Sequence, residues 1–192
     1  MAAIRLFVAV HLSAEVRAAM EKALDHLRKI PADVKWVRPE AMHLTLKFIG
    51  SVGEERLTEV QSVIADSLRD RRLTSLRFQG VGTFGPPKMP KIVWAGGHEA
   101  AGTLRAIHES LEVAMTRFGS ERETRPFSPH VTLGRVQGRR GSDELLRAVE
   151  KHKADPFGSF EVREVALVQS DLRPEGSQYT TRSTLPLESG DA

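Results

Sequence analysis

His43 and His130 each open the same four-residue pattern, His-Leu-Thr-Leu at positions 43–46 and His-Val-Thr-Leu at positions 130–133. In an extended strand alternate side chains share a face. His43 and Thr45, or His130 and Thr132, therefore set an imidazole beside a hydroxyl, while Leu44, Leu46, Val131 and Leu133 point the other way. Chance yields His-x-Thr-Leu about 0.04 times in a chain of this composition, so two copies mark a pair of sites. Two facing imidazoles are suited to acid-base work, because an unperturbed histidine titrates at about 6.5 and can either take a proton from a nucleophile or give one to a leaving group. A threonine hydroxyl beside each ring can donate to an oxygen bearing negative charge. Two such donors around one centre fit a phosphoryl group with two non-bridging oxygens.

The rest of the chain must position those two strands. Arg5 to Val10 reads as a strand, and Ser13 is an N-cap for a helix to about Lys29 with Val16, Met20, Leu24 and Leu27 on one face. Val34 to Val37 is a short extended piece. Met42 to Ile49 is the first motif strand, stopped by Gly50, and a helix follows over Gly53 to Arg69. After a strand over Leu73 to Val81, the stretch Gly82 to Pro90 reads as a linker, neither helix nor central strand. Lys91 to Ala95 is a strand, Glu99 to Phe118 a helix, and Pro126 to Val136 holds the second motif. Gln137 to Gly141 is a loop, Ser142 the N-cap of a helix to about His152, and Phe160 to Gln169 and Gln178 to Leu187 are closing strands around an Arg173 to Gly176 turn.

The two halves keep one spacing. From Leu6 to His43 is 37 positions and from Ile92 to His130 is 38, while His43 to Leu73 and His130 to Phe160 are both 30. The repetition predicts one domain over residues 1–188, built of two similar lobes, about 1–85 and 86–188, with strand exchange between them allowed. An approximate two-fold would turn both motif strands toward a shared cleft. Residues 189–192 are expected to form a flexible tail.

Composition narrows the chemistry further. The 192 residues contain no cysteine, which removes disulfides, thiolate nucleophiles and Cys-based zinc sites and leads to an expected cytoplasmic location. Ile4 to Val10 is too short and too interrupted to span a bilayer, so no membrane association is expected. Net charge is +3, with basic clusters at Arg69 to Arg72 and Arg135 to Arg140 that allow modest affinity for a polyanion. The first cluster also complements a helix C-terminus. No helical His-x-x-x-His and no acidic cluster flanks the motifs, so neither metal nor cofactor is expected. His11, His26, His98, His108 and His152 lack any echo and read as surface or capping residues.

These residues together resemble the bacterial and archaeal RNA 2',3'-cyclic phosphodiesterases, also called 2'-5' RNA ligases, of the two-histidine (2H) phosphoesterase superfamily. The resemblance runs over Arg5 to Val10, Trp36-Val37-Arg38-Pro39, His43 to Gly50, Lys91 to Gly96, Pro129 to Arg135, Gln169-Ser170-Asp171-Leu172, Gly176 and Tyr179. It implies an α+β bilobal fold with two antiparallel sheets facing a central cleft and helices outside. It also implies hydrolysis of 2',3'-cyclic phosphate ends to 2'-phosphates, with ligation as the reverse reaction. By the same resemblance His43 and His130 are the acid-base pair, and Thr45, Thr132 and Arg135 hold phosphate. Strand parity turns Arg135 away from His130, so its role requires a bend or bulge at Gly134. Phe48 holds the corresponding place in the first copy and could stack a base, although parity with Leu44 and Leu46 assigns it to the core. Phe7, Trp36, Trp94 and Tyr179 offer the same choice between base platform and packing.

The expected substrate is RNA with a 2',3'-cyclic phosphate end, handled by a monomer. Two other readings are a phosphodiesterase for a small cyclic nucleotide or cyclic ADP-ribose phosphate, and a non-catalytic RNA-binding module. The latter would lose affinity steeply with salt and be indifferent to loss of either histidine.

Overall fold

The computed structural model describes residues 2–174 and 176–189. Glu175 of the closing turn and residues 190–192 of the expected tail lie outside the described residues. The chain runs β1 (Ala3–His11), α1 (Ala14–Leu27), β2 (Val34–Trp36), β3 (His43–Gly53), α2 (Leu57–Leu68), β4 (Thr74–Phe84), β5 (Ile92–His98) and α3 (Thr103–Ala114). It continues through β6 (His130–Val136), α4 (Ser142–Lys151), β7 (Pro156–Val162), β8 (Glu164–Arg173) and β9 (Gly176–Pro186). Among the described residues the strands form one antiparallel sheet in the order β7-β4-β5-β6-β3-β1-β8-β9, with β2 on β6.

The sheet is two halves joined at a seam. Each half places its motif strand innermost, β6 in one and β3 in the other, and the single pairing between them is Leu44 with Val131. Strands cross the division expected near residue 85: β4 pairs with β5 and β7, while β8 and β9 return to lie beside β1. Helices cover one face, α1 against β7, α4 against β4, and the α2–α3 pair against β9 and β3. The fold is thus α+β, a curled antiparallel half-barrel with its helices outside.

Alternation explains which face is covered. In β1, Leu6, Val8 and Val10 are buried in the main core with Met20, Leu24 and Leu27 of α1 and with Leu104, Ile107 and Leu111 of α3. Their neighbours Phe7 and Ala9 form a separate buried cluster with Ala166 and Val168 on the other, concave face. Ser13 caps α1 as its sequence predicts, its hydroxyl accepting from the Val16 N–H at 3.2 Å.

Several elements differ from the sequence expectation. Gly50 does not stop β3; at φ 94° it sits in an irregularity and the strand continues to Gly53. Gly82, Thr83 and Phe84 are not linker but the end of β4, an internal strand of the sheet. Gly82 belongs there because the Trp94 ring lies across it, and a Cβ would come within 2.3 Å of that ring. The expected closing strand from Phe160 is divided at Arg163 into β7 and β8. The N-cap of α4 is Gly141 in the left-handed region, and Ser142 is the first helical residue.

Candidate active site

Leu44 and Val131, paired at the seam, are both fully buried on the helix side. That register sets His43 against Thr132 and Thr45 against His130 on the concave face, each histidine beside the threonine of the other copy. The same backbone device orients both rings. His43 Nδ1 lies 2.8 Å from the Ala41 carbonyl oxygen and His130 Nδ1 lies 2.7 Å from the Ser128 carbonyl oxygen. A carbonyl can only accept, so each Nδ1 donates and each Nε2 is left for the cleft.

Aromatic rings wall both imidazoles. Phe7 lies 4.7 Å from His43 and Tyr179 meets it edge-on at 5.1 Å, while Phe84 meets His130 edge-on at 4.9 Å. Burial pushes the His43 pKa down to about 4, with the neighbours His11 and Arg135 adding to the effect and the Ala41 hydrogen bond opposing it. His43 is therefore neutral at pH 7, with Nε2 able to accept a proton.

The two motif strands share a further feature. Against β1, Thr45 pairs with Ala9 and Lys47 with Val8, leaving Leu46 without a partner; against β5, Thr132 pairs with Trp94 and Gly134 with Val93, leaving Leu133 without one. The fourth residue of each motif is thus the extra residue of a β-bulge. Both leucines stay buried. The bulge reverses parity beyond them, so the fifth residue after each histidine returns to the concave face. Arg135 pairs with Ile92, on the face that carries Trp94, and lies close enough to His43 to disfavour its charge. Gly134 turns inward, where a Cβ would stand 2.6 Å from the Trp36 ring and 2.7 Å from a Val34 methyl. Hence the bend that Arg135 required is present.

Phe48 is the matching residue of the first copy, and here core packing by simple parity is corrected. The ring is 62% exposed, pairs with Phe7 across the strands and lies 5.8 Å from it. Tyr179 is also exposed, at 36%. Phe7 is buried at 2% beneath them, so it packs and supports and does not itself offer a face. Trp94 lies over Gly82, 5.2 Å from Phe84, and Trp36 packs against the main core.

Sequence reasoning passed over a buried network behind the first motif. The bulge turns Lys47 inward to 4% exposure, where Nζ donates to Glu112 at 2.7 Å and to the Glu121 carbonyl at 2.6 Å. The same Glu112 oxygen accepts from the Glu123 N–H at 2.7 Å. His108, expected at the surface, is buried; its Nδ1 donates to the Leu46 carbonyl at 2.7 Å and its ring stacks on Phe127 at 4.6 Å. The bulge of one motif is thereby tied to the loop that leads into the other. A lysine inside an apolar strand was the available signal for this network. Phe84 carried none, because glycine and proline surround it.

Among the described residues no group of three His, Asp or Glu is placed to hold a metal ion, and no helix is long and apolar enough to cross a membrane. A family model described as the 2'-5' RNA ligase superfamily matches residues 8–174. A Methanothermobacter thermautotrophicus protein named RNA 2',3'-cyclic phosphodiesterase is 36% identical over 177 residues, covering 92% of this chain and 95% of that one. An Archaeoglobus fulgidus protein of the same name is 35% identical over 175 residues, 91% of this chain and 96% of its own. In structure, TT0787 of Thermus thermophilus superposes with a TM-score of 0.77 at 31% identity, over 96% of this chain and 98% of that one. Escherichia coli LigT complexed with 3'-AMP shares the fold at a TM-score of 0.75 and 24% identity, over 97% of this chain and 99% of its own. With the family match and these relatives spanning nearly its whole length, the chain belongs to the 2'-5' RNA ligase superfamily.

Proposed function

We propose that this protein hydrolyses 2',3'-cyclic phosphate ends of RNA to 2'-phosphates by two-histidine acid-base catalysis, residues 1–188 acting as one catalytic unit. The observation that carries the reading is the matched pair of imidazoles, each held through Nδ1 by a backbone carbonyl with Nε2 left for one cleft. The family's relatives bear the name of that activity. His43, kept neutral, takes a proton from water through Nε2 as the water oxygen attacks phosphorus. The bond from phosphorus to the ribose 3' oxygen breaks, and His130 supplies the proton that this oxygen needs. Thr45, Thr132 and Arg135 hold the non-bridging oxygens as negative charge builds on them. With a 5'-hydroxyl in place of water as the nucleophile, the same steps in the same direction form a 2'-5' linkage; water at its high concentration favours hydrolysis.

The direct test is incubation, with chelator present, of a short oligonucleotide ending in a 2',3'-cyclic phosphate, followed by identification of the product isomer. A 2'-phosphate is expected, and strict dependence on added metal would overturn the mechanism.

A bell-shaped pH dependence of kcat/KM follows from one neutral and one protonated histidine. Its acid limb should fall near pH 4, where His43 takes up a proton as pH drops. Replacing Arg135 with alanine removes a positive neighbour that disfavours the imidazolium. That limb should then move upward, while kcat/KM drops by about 10- to 100-fold for want of a charge-assisted hydrogen bond.

Phe48 and Tyr179 supply the exposed rings on which the terminal base stacks. Steady-state kinetics of Phe48→Ala should show KM raised about 5- to 150-fold, from a stacking contribution of roughly 1–3 kcal/mol, with kcat less affected. An unchanged KM would return Phe48 to a surface role.

A further inference from the structure

Beside His130, at the end of its half of the sheet where β5 leads into α3, lies a recess of about 740 Å³ lined by Ser75, Arg77, His98, Arg105, Phe127 and Pro129 among others. Its position follows from the register. Gly96 pairs with His130, and His98 lies two residues further along β5 on the same face, roughly 7 Å away, with Arg77 as its partner on β4. Pro129 joins the recess to the candidate site directly.

The charge there is only partly compensated. Among the described residues Arg77 and Arg105 form no salt bridge. Glu99, the carboxylate in the lining, is occupied elsewhere: it accepts from the Thr74 hydroxyl at 2.9 Å and from the Leu104 N–H at 3.1 and 3.2 Å at the start of α3. Two free guanidiniums and an imidazole around a concave space concentrate positive potential and fit a phosphate, which a guanidinium can hold in bidentate fashion.

The recess also lies at the end of the cleft where the substrate must continue. The antiparallel seam puts Arg135 at the His43 end and Phe48 at the His130 end, since β3 runs from His43 toward Phe48 while β6 runs from His130 toward Arg135. An RNA 3' end that stacks its base on Phe48 has its ribose 5' oxygen, and the next phosphodiester, at that same end.

Building on the proposed hydrolysis, we infer that Arg77, Arg105 and His98 form a second phosphate subsite that binds the last internucleotide phosphodiester and makes the protein select oligonucleotide ends over free cyclic nucleotides. The test compares kcat/KM for a trinucleotide ending in a 2',3'-cyclic phosphate with that for a nucleoside 2',3'-cyclic phosphate, in the parent protein and in R77Q/R105Q. The parent should favour the trinucleotide at least tenfold at low salt. The variant should lose that preference through the trinucleotide value alone, with the nucleotide value and the melting temperature unchanged and a shallower salt dependence. On the unmodified protein, a trinucleotide whose last phosphodiester is replaced by a neutral methylphosphonate should lose the same factor. A parent without preference, a variant in which both substrates fall together, or indifference to the methylphosphonate would overturn the subsite. Failure of the parent to cleave either substrate would instead overturn the hydrolytic reading, and the subsite with it.

Discussion

Replacing His130 with alanine is expected to lower kcat for cyclic phosphate hydrolysis by a factor of about 10² to 10⁴, the usual worth of a positioned acid or base, with little change in KM. His43→Ala should lose a similar factor. The ring of His130 meets Phe84 edge-on and is tethered at Nδ1 by the Ser128 carbonyl, so its truncation removes those two contacts together with the proposed proton donor. Under the proposed mechanism His43 and His130 serve one step, so the double variant should be scarcely worse than either single one, because groups that act as a unit give strongly non-additive losses. Single-turnover rates on one oligonucleotide substrate measure all three. Losses that simply multiply would mean that the two rings do not share a transition state. A module that only bound RNA would show no such pattern.

Lys47→Met is expected to give the largest loss of stability of any single change near the site. The ammonium and its Glu112 partner have side-chain exposures of 3% and 7%. Removing one member of a pair this deeply buried leaves the other charge uncompensated, at a cost of about 3–5 kcal/mol. For a chain of this size that corresponds to a fall of roughly 6–20 °C in Tm. Lys47→Met combined with Glu112→Leu removes both charges and should recover part of the loss. Recovery stays incomplete, because Lys47 also donates to the Glu121 carbonyl and Glu112 also accepts from the Glu123 N–H. Both bonds hold the loop before Ser128, whose carbonyl orients His130. Activity of Lys47→Met, measured well below its Tm, should therefore fall, though by less than in either histidine variant. Thermal unfolding followed by circular dichroism checks the stability arm, and an unshifted Tm would show the pair to be dispensable.

The motifs were legible because their chemistry is local: His43 with Thr45 and His130 with Thr132 share a face by alternation alone, and the buried Leu44 and Val131 confirm which face. Alternation fails one residue later. A β-bulge is a relation between two strands and leaves no fixed signature in either. The inward turn of Lys47, the exposure of Phe48 and the return of Arg135 to the concave face all follow from it. Gly134 hinted at the second bulge, since only a residue without Cβ fits against Trp36 and Val34; Lys47 at the matching place in the first copy gave no such hint. Strand exchange was allowed by the repeat, but which strands exchange was hidden for a related reason. The equal spacing of β4 and β7 from their motif histidines describes the sequence repeat, whereas both strands pair with each other in one half of the sheet. Local pattern fixes a strand's period and leaves its partner to the tertiary fold.

Division of labour between the two histidines is the centre of the account, and a substrate with sulfur in place of the bridging 3' oxygen tests it most directly. A thiolate leaves phosphorus without needing a proton, so the acid becomes dispensable while the base does not. On this substrate His130→Ala should regain most of the parent rate, and His43→Ala should remain as impaired as on the oxygen compound. Rescue of His43→Ala in place of His130→Ala, or equal impairment of both, would contradict it.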